Sequence, residues 1–325
     1  MTNKITNKLK NLATFHGIGW KKRTASSLEE RQNGLCWSLW QSNSEYKQLK
    51  AVLLFAPGKE IHNISDSNKI LHIKKINSKK IKLEFLKIKK AFEKEGVLVF
   101  QINPGFFADP PPPNLMYVRD LFWNGIEGAV ISRMGSQVRI GEEKYAAATL
   151  SMLSIPIIGS IHQKALFEGA DLLWLNHKTL LCGVGNRTNL LALKQLEDIL
   201  KCERIKIVPI SLPKNVQHLL GILQIVDRKK ALIRTSLAPK KLISLLKKEK
   251  FELIEIPESH EVVNLQGMNI VTIRPNEIFM PCECPELKKI YSTNHIKVLA
   301  ELDIEQILCG AGGLACATGI LSRTL

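Results

Sequence analysis

The stretch "ALFEGADLLWLNHKTLLCGVGNRTNLLALKQLEDILKCERIKIVPIS", residues 165–211, holds one complete structural module. Two apolar runs joined by a short polar turn read as strands, and a loop rich in glycine and asparagine follows. "LLALKQLEDILK" then carries its leucines at helical spacing, and "RIKIVPIS" is a further strand. The same order recurs on both sides. "KAVLLFAP", the helical "SKKIKLEFLKIKKAFEKEG" and "VLVFQI" form one unit, and "DLFWNG", "GAVISRM", "EEKYAAATLSML" and "IPIIGS" form another. Further on come "GILQIVDRKKALIR", "PKKLISLLKKEKF" and "LIEIP", then "NIVTIRPNEIFMP", "CPELKKIYSTN", "IKVLAEL" and the glycine-rich "GGLACATG". A period of about 50 residues signals an array of supersecondary units.

Five such units, each too small to bury its own apolar face, are stable when closed into a ring. The expected fold is α/β, a five-module pseudo-symmetric propeller over residues 48–325 behind an N-terminal arm, residues 1–47; the rival is an ordinary αβ sandwich. A ring brings loops from every unit to its axis. Any site there is assembled from positions far apart in the chain.

Composition narrows the function classes. Of 325 residues, 45% are hydrophobic and 23% charged, enough to bury a large core. No run approaches the roughly 18 apolar residues of a membrane span, and "MTNKITNKLKNLATFHGIGWKK" has no apolar secretory core. A cytoplasmic protein without membrane contact is expected. The seven cysteines, odd in number and scattered, read as free thiols. "PCECPE" (Cys282, Cys284) has no second Cys/His pair at zinc spacing, so no metal is expected there. No nucleotide loop or flavin fingerprint points to a cofactor. The net charge of +16 comes from lysines spread over helix faces without interleaved aromatics, which argues against nucleic acid as a partner.

Polar residues that interrupt the apolar strands mark the axis. "PPPPNLMYVRDLFW" sets Asn114, Arg119 and Asp120 between a proline run that fixes the backbone and a strand. "FEGADLLWL" places Glu168 and Asp171 inside an apolar run, where an unpaired carboxylate is costly to bury, so a cation should meet them. "GVGNRTN" puts Arg187 in a loop that opens a helix; a cap by Asn186 or Thr188 beside a solvated arginine is the plainer alternative. "VQHLLGILQIVD" starts a strand at His218, for which the alternative to function is a packed core histidine. In "GGLACATG" the glycines remove bulk around Cys316, so a ligand can reach its thiol; the alternative is a small buried cysteine in a tight turn.

In chain order these are Asn-Leu-x-x-x-Arg-Asp, Glu-Gly-x-Asp, Gly-x-x-Arg-Thr, His-Leu and Gly-Gly-x-x-Cys-x-Thr. The set resembles the guanidine-modifying superfamily, the pentein fold of arginine deiminases, dimethylargininases and amidinotransferases, from about residue 48 to the end. A guanidinium is planar, cationic and resonance-stabilised, a poor electrophile until carboxylates hold it beside a strong nucleophile. The resemblance implies that Cys316 attacks the guanidino carbon, that His218 serves as acid and then base, and that Glu168 orients this histidine. It implies that Asp120 holds the guanidinium, with Asp171 as a candidate second carboxylate and Asn114 among the substrate-binding residues. Arg187, and Arg139 in "SQVRIGEE", match arginines that bind an α-carboxylate; for Arg139 the alternative is a surface arginine before a helix. The implied activity is hydrolysis of a C–N bond in the guanidino group of arginine or an N-substituted arginine, without a cofactor. The alternatives are an amidinotransferase and a binding protein of the same fold without turnover.

The match has departures. Arginine deiminases carry an aspartate two residues after the histidine, where this chain has Leu220; dimethylargininases lack that acid as well. Ala315 stands before the cysteine, where deiminases commonly have histidine, and "EGAD" replaces Glu-Gly-Gly-Asp. The expected pocket is less acidic on one side and roomier, which shifts the substrate away from plain arginine.

Overall fold

The computed structural model describes residues 12–61 and 64–325; the first eleven residues of the expected N-terminal arm lie outside it. In the first sheet β1 (Leu49–Leu54) runs parallel to β2 (Leu98–Gln101), with the helix Ser78–Lys94 as the crossover between them. That helix follows from its sequence. Asn77 accepts hydrogen bonds from the Lys79 and Lys80 amides, and Ile81, Phe85, Ile88 and Phe92 form one buried stripe beneath outward lysines. Truncating Phe85 to alanine would cost about 3–5 kcal/mol.

The other sheets repeat the plan with local segments. β3 (Phe122–Asn124) pairs antiparallel with β4 (Ala129–Ile131), which runs parallel to β5 (Ile157–Ser160). β6 (Leu172–Asn176), β7 (Thr179–Val184) and β8 (Lys206–Ser211) do the same, as do β9 (Leu223–Asp227), β10 (Lys230–Ile233) and β11 (Glu252–Glu255). β12 (Val271–Arg274), β13 (Glu277–Pro281) and β14 (Lys297–Leu302) form the fifth. A helix joins the middle and third strands each time, at Glu142–Met152, Leu190–Ile199, Lys240–Lys248 and Pro285–Thr293. β15 (Gly319–Arg323) completes the first sheet by pairing antiparallel with β1, so the array closes on itself. This is the five-module propeller expected from the repeat, and the sandwich is set aside.

The chain divides into two compact units after Trp37. In the first, the helix Ser27–Gln32 begins with a reciprocal cap between Ser26 and Glu29, and Arg23 pairs with Glu30. Among the described residues no helix is long and apolar enough to cross a membrane.

Some expected strands are interrupted where they approach the axis. The run 165–176 is strand only from Leu172, because Gly169–Asp171 makes a single helical turn. A Cβ on Gly169 would lie 2.2 Å from the Phe122 carbonyl oxygen, so only glycine allows this turn to press against the neighbouring module.

Candidate active site

The same position in each module, the segment leading into its first strand, delivers one side chain to the axis. Asp120 precedes β3, Glu168 precedes β6, His218 precedes β9, Asn269 precedes β12 and Cys316 precedes β15, at intervals of 48, 50, 51 and 47 residues. Four were singled out in the sequence. Asn269 was missed, although the period alone points to it.

His218 is buried, and its Nε2 lies 2.7 Å from Glu168 Oε2. Its Nδ1 stands 3.9 Å from Asp120 Oδ1. Burial disfavours the imidazolium, but Asp120, Asp171 and Glu168 outweigh it and raise the pKa to about 9. At neutral pH this histidine carries its proton. Glu168 is fully buried; its Oε1 accepts from the Gly135 amide at 3.0 Å and from Arg187 Nη1 at 3.2 Å. Burial pushes its carboxyl up, yet His218, Arg139 and Arg187 hold it well below the usual carboxylate range.

Asp120 is equally enclosed. Its Oδ2 accepts from Arg139 Nη1 at 2.6 Å, while its Oδ1 has no hydrogen-bond partner among the described residues. A buried carboxylate oxygen left open is expensive unless a donor arrives.

Cys316 is half-buried. Asn269 Oδ1 accepts from the Ala315 and Cys316 amides at 2.6 and 3.2 Å, and Asn269 Nδ2 donates to Cys316 Sγ at 3.2 Å. One side chain thus fixes both the loop and the sulfur. A Cβ on Gly313 would lie 2.6 Å from Asn269 Cγ, which explains a glycine at that point in the terminal motif. Burial and then Asp120 raise the thiol pKa, opposed by the Gly313 amide, Asn269 and Arg139. Tyr117 anchors the loop from beneath, donating to the Ile307 carbonyl at 2.8 Å and accepting from the Gly312 amide at 3.1 Å.

Two cavities meet at Cys316. The larger, about 420 Å³, is lined by Asp120, Arg139, Arg187, Asn114 and His72; the smaller, about 290 Å³, is lined by His218, Arg234, the amides of Gln217, Gln266 and Asn269, and apolar side chains. Arg187, with its side chain 17% exposed, faces the larger one. Asn114 lines it too, but its Oδ1 and Nδ2 are held by His72 Nε2 at 3.0 Å and the Ile70 carbonyl at 2.8 Å.

Arg139 and Asp171, expected among the substrate-binding residues, are both engaged inside the protein, although Arg139 also lines the larger cavity. Arg139 is buried, not at the surface, and each of its nitrogens donates inside the protein: Nη1 to Asp120, Nε and Nη2 to Glu142 Oε2 at 3.0 and 2.8 Å, and Nη2 to the Tyr117 carbonyl. Glu142, not singled out in the sequence, is its main partner; burial raises that carboxyl to about 7 although Arg139 pulls the other way. Asp171 lines neither cavity. Its oxygens accept from the Leu219 amide at 2.9 Å and the Thr188 hydroxyl at 2.7 Å, which ties the backbone after His218 to the Glu168 module.

Asp120, Glu168 and His218 each bring one donor atom within 4.8 Å of the others, as metal ligands do. Arg139 already stands 2.6 Å from the first and 3.7 Å from the second, so positive charge is supplied there by the protein itself. The donor set fits a held guanidinium better than an ion.

The family model of arginine deiminase matches residues 58–244, which include Asn114, Asp120, Arg139, Glu168, Asp171, Arg187 and His218 but neither Asn269 nor Cys316. An uncharacterized protein of Aeropyrum pernix is 23% identical over 221 residues, 68% of this chain and 76% of its own. The arginine deiminase of Metamycoplasma arthritidis is 32% identical over 132 residues, 38% of this chain but 32% of its own length. Among solved structures, dimethylarginine dimethylaminohydrolase from Pseudomonas aeruginosa, complexed with citrulline, superposes with a TM-score of 0.68 at 18% identity, covering 85% of this chain and all of that one. Inosamine-phosphate amidinotransferase from Streptomyces griseus gives 0.70 at 16% identity, covering 89% and 98%.

Proposed function

The chain belongs to the arginine deiminase family of guanidine-modifying proteins, and from that premise we propose that it hydrolyses a C–N bond in the guanidino group of arginine or an N-substituted arginine through a covalent intermediate on Cys316. One observation carries the reading: Asp120, whose buried Oδ1 has no hydrogen-bond partner among the described residues, lines the cavity that Cys316 also lines. A planar cation with N–H groups is what that oxygen lacks.

The chemistry follows from the charges. An empty site keeps the thiol protonated, because burial and Asp120 both oppose the thiolate. A bound guanidinium offsets Asp120, the thiol releases its proton to solvent, and sulfur forms a bond to the guanidino carbon. The C–N bond then breaks with its electron pair on nitrogen, which takes a proton from the charged His218. A neutral amine or ammonia leaves, and a thiouronium remains on Cys316. Neutral His218 next takes a proton from water, the resulting hydroxide adds to the same carbon, and the S–C bond breaks with its electron pair on sulfur; the added hydroxyl loses its proton to solvent, which leaves a ureido product and the thiolate. Glu168 keeps the ring in place and stabilises its charged form.

The test is incubation with arginine, methylated arginines and agmatine, with and without an amine acceptor. A ureido product is the expected result. No product, and no adduct on Cys316 by mass spectrometry with any guanidine, overturns the reading. A second reading, transfer of the amidino group to an amine, is favoured by the smaller cavity, which gives an amine access to Cys316; a guanidino product that depends on the acceptor would identify it.

A further inference from the structure

The reaction outlined above leaves one buried titratable side chain of the larger cavity unused. His72 is 2% exposed and lines that cavity together with Asp120, Arg187 and Cys316. The backbone holds it in place without a ligand: its own amide donates to the Ser67 carbonyl at 2.9 Å, and the Ile73 and Lys74 amides donate to the Cys309 carbonyl at 2.8 and 3.0 Å.

The contact with Asn114 fixes which ring nitrogen carries the proton. A backbone carbonyl can only accept, so the Asn114 atom 2.8 Å from the Ile70 carbonyl is the Nδ2 donor. Oδ1 is then the atom 3.0 Å from His72 Nε2, and Nε2 has to donate to it. Burial lowers the pKa of this imidazole from its ordinary value, so the ring is neutral at pH 7 and Nδ1 keeps its lone pair. Nδ1 has no hydrogen-bond partner among the described residues. With Nε2 spent on Asn114, it is the atom through which His72 can meet a ligand in the cavity that it lines.

Asn114, by contrast, has both ends of its amide engaged inside the protein. A ligand held by its guanidinium at Asp120 extends the rest of its length along this cavity. Arg187 there offers a cation for a carboxylate, and His72 offers the buried acceptor that an ammonium needs. Resting on the guanidine-modifying reading above, we propose that His72 determines specificity in place of Asn114: its Nδ1 accepts a hydrogen bond from an ammonium group on the tail of the guanidino substrate. A guanidino acid that carries an α-ammonium is then preferred to the same acid without one.

The experiment compares arginine with δ-guanidinovalerate, which is arginine without its α-amino group. A hydrogen bond to a charged donor predicts a preference for arginine of at least about tenfold in kcat/KM, expressed in KM. His72→Phe keeps a ring against Asn114 but removes the acceptor, and should erase that preference while kcat stays within about threefold. His72→Asn puts an amide oxygen near the position of Nδ1 and should regain part of it. Imidazole nitrogen NMR of the Cys316→Ser protein needs no change at position 72, so it stands even if those variants fail to fold. It should show a protonated Nε2, and an Nδ1 resonance that moves on adding arginine but not on adding δ-guanidinovalerate. Equal kcat/KM for the two guanidines, a preference that survives His72→Phe or is not regained in His72→Asn, or a protonated Nδ1 overturns the proposal alone. No turnover of either guanidine, with no adduct on Cys316, sinks it together with the reading it rests on.

Discussion

Replacing Asp120 by asparagine removes one charge and keeps the shape. The fold should survive, because an asparagine oxygen can still accept from Arg139, and Glu142 retains that arginine through Nε and Nη2. The charge is another matter. A guanidinium about 4 Å from a carboxylate, at an effective dielectric near 20, gains about 4 kcal/mol. At 1.36 kcal/mol per decade, kcat/KM should fall by about three orders of magnitude. The titrating neighbours should move as well. After burial, which opposes the imidazolium, Asp120 is the strongest of the groups acting on His218, so its pKa should drop from about 9 toward 6.5. Asp120 also raises the Cys316 thiol, so alkylation of the empty protein by neutral iodoacetamide should accelerate while turnover slows. Steady-state kinetics, alkylation rates at pH 8 and a His218 titration by NMR read these three effects. A folded Asp120→Asn protein with kcat/KM within tenfold of wild type, or with a thiol less reactive than before, would falsify the assignment of Asp120 to the guanidinium.

Cys316→Ser should abolish turnover without loss of fold, since the exchange is nearly isosteric; activity within tenfold of wild type would make the cysteine structural. Asn269→Ala strips the Ala315 and Cys316 amides of their acceptor, and should cost about 2–3 kcal/mol in urea unfolding and at least tenfold in kcat. His218 supplies a pH signature: holding it at about 9 instead of 6.5 is worth about 3 kcal/mol, present in full below 6.5 and lost as pH rises through 9, so the stability advantage of wild type over His218→Asn should shrink across that window. Leu220→Asp introduces a carboxylate at the wall of the smaller cavity, which Cys316 also lines, and should raise the arginine-to-methylarginine ratio of kcat/KM; an unchanged ratio in a folded mutant would mean that position 220 does not face the guanidinium.

The fold was legible because repetition amplifies weak signals. One strand-helix-strand pattern is ambiguous, but five at a common period leave little choice; Asp120, Glu168 and His218 are polar residues beside apolar runs, where each needs a reason, and Cys316 is marked by its glycines. Asn269 escaped because an asparagine before a strand is ordinary turn chemistry, and only its distance from His218 and Cys316 sets it apart. Arg139 and Asp171 were harder. Whether a buried charge meets substrate or another side chain depends on partners such as Glu142 and Thr188, which nothing local in the sequence marks. His72 belongs to the same class, since its contact with Asn114 spans 42 residues that include a helix and a strand.

The pairing of β1 with β15 has a kinetic consequence. Ala51 and Ser322 face each other across about 270 residues, whereas Trp174 and Leu180, in a local hairpin, are separated by six. Closing the longer loop costs about 3 kcal/mol more in chain entropy, so the seam of the ring should be the last contact to form during folding. Cys316 lies three residues before that seam. In refolding from urea, burial of Trp123 and Trp174 should therefore precede protection of the Cys316 thiol, and simultaneous recovery would argue against late closure. Until the seam shuts, the sulfur remains separated from the imidazolium and carboxylates that would give it a chemistry.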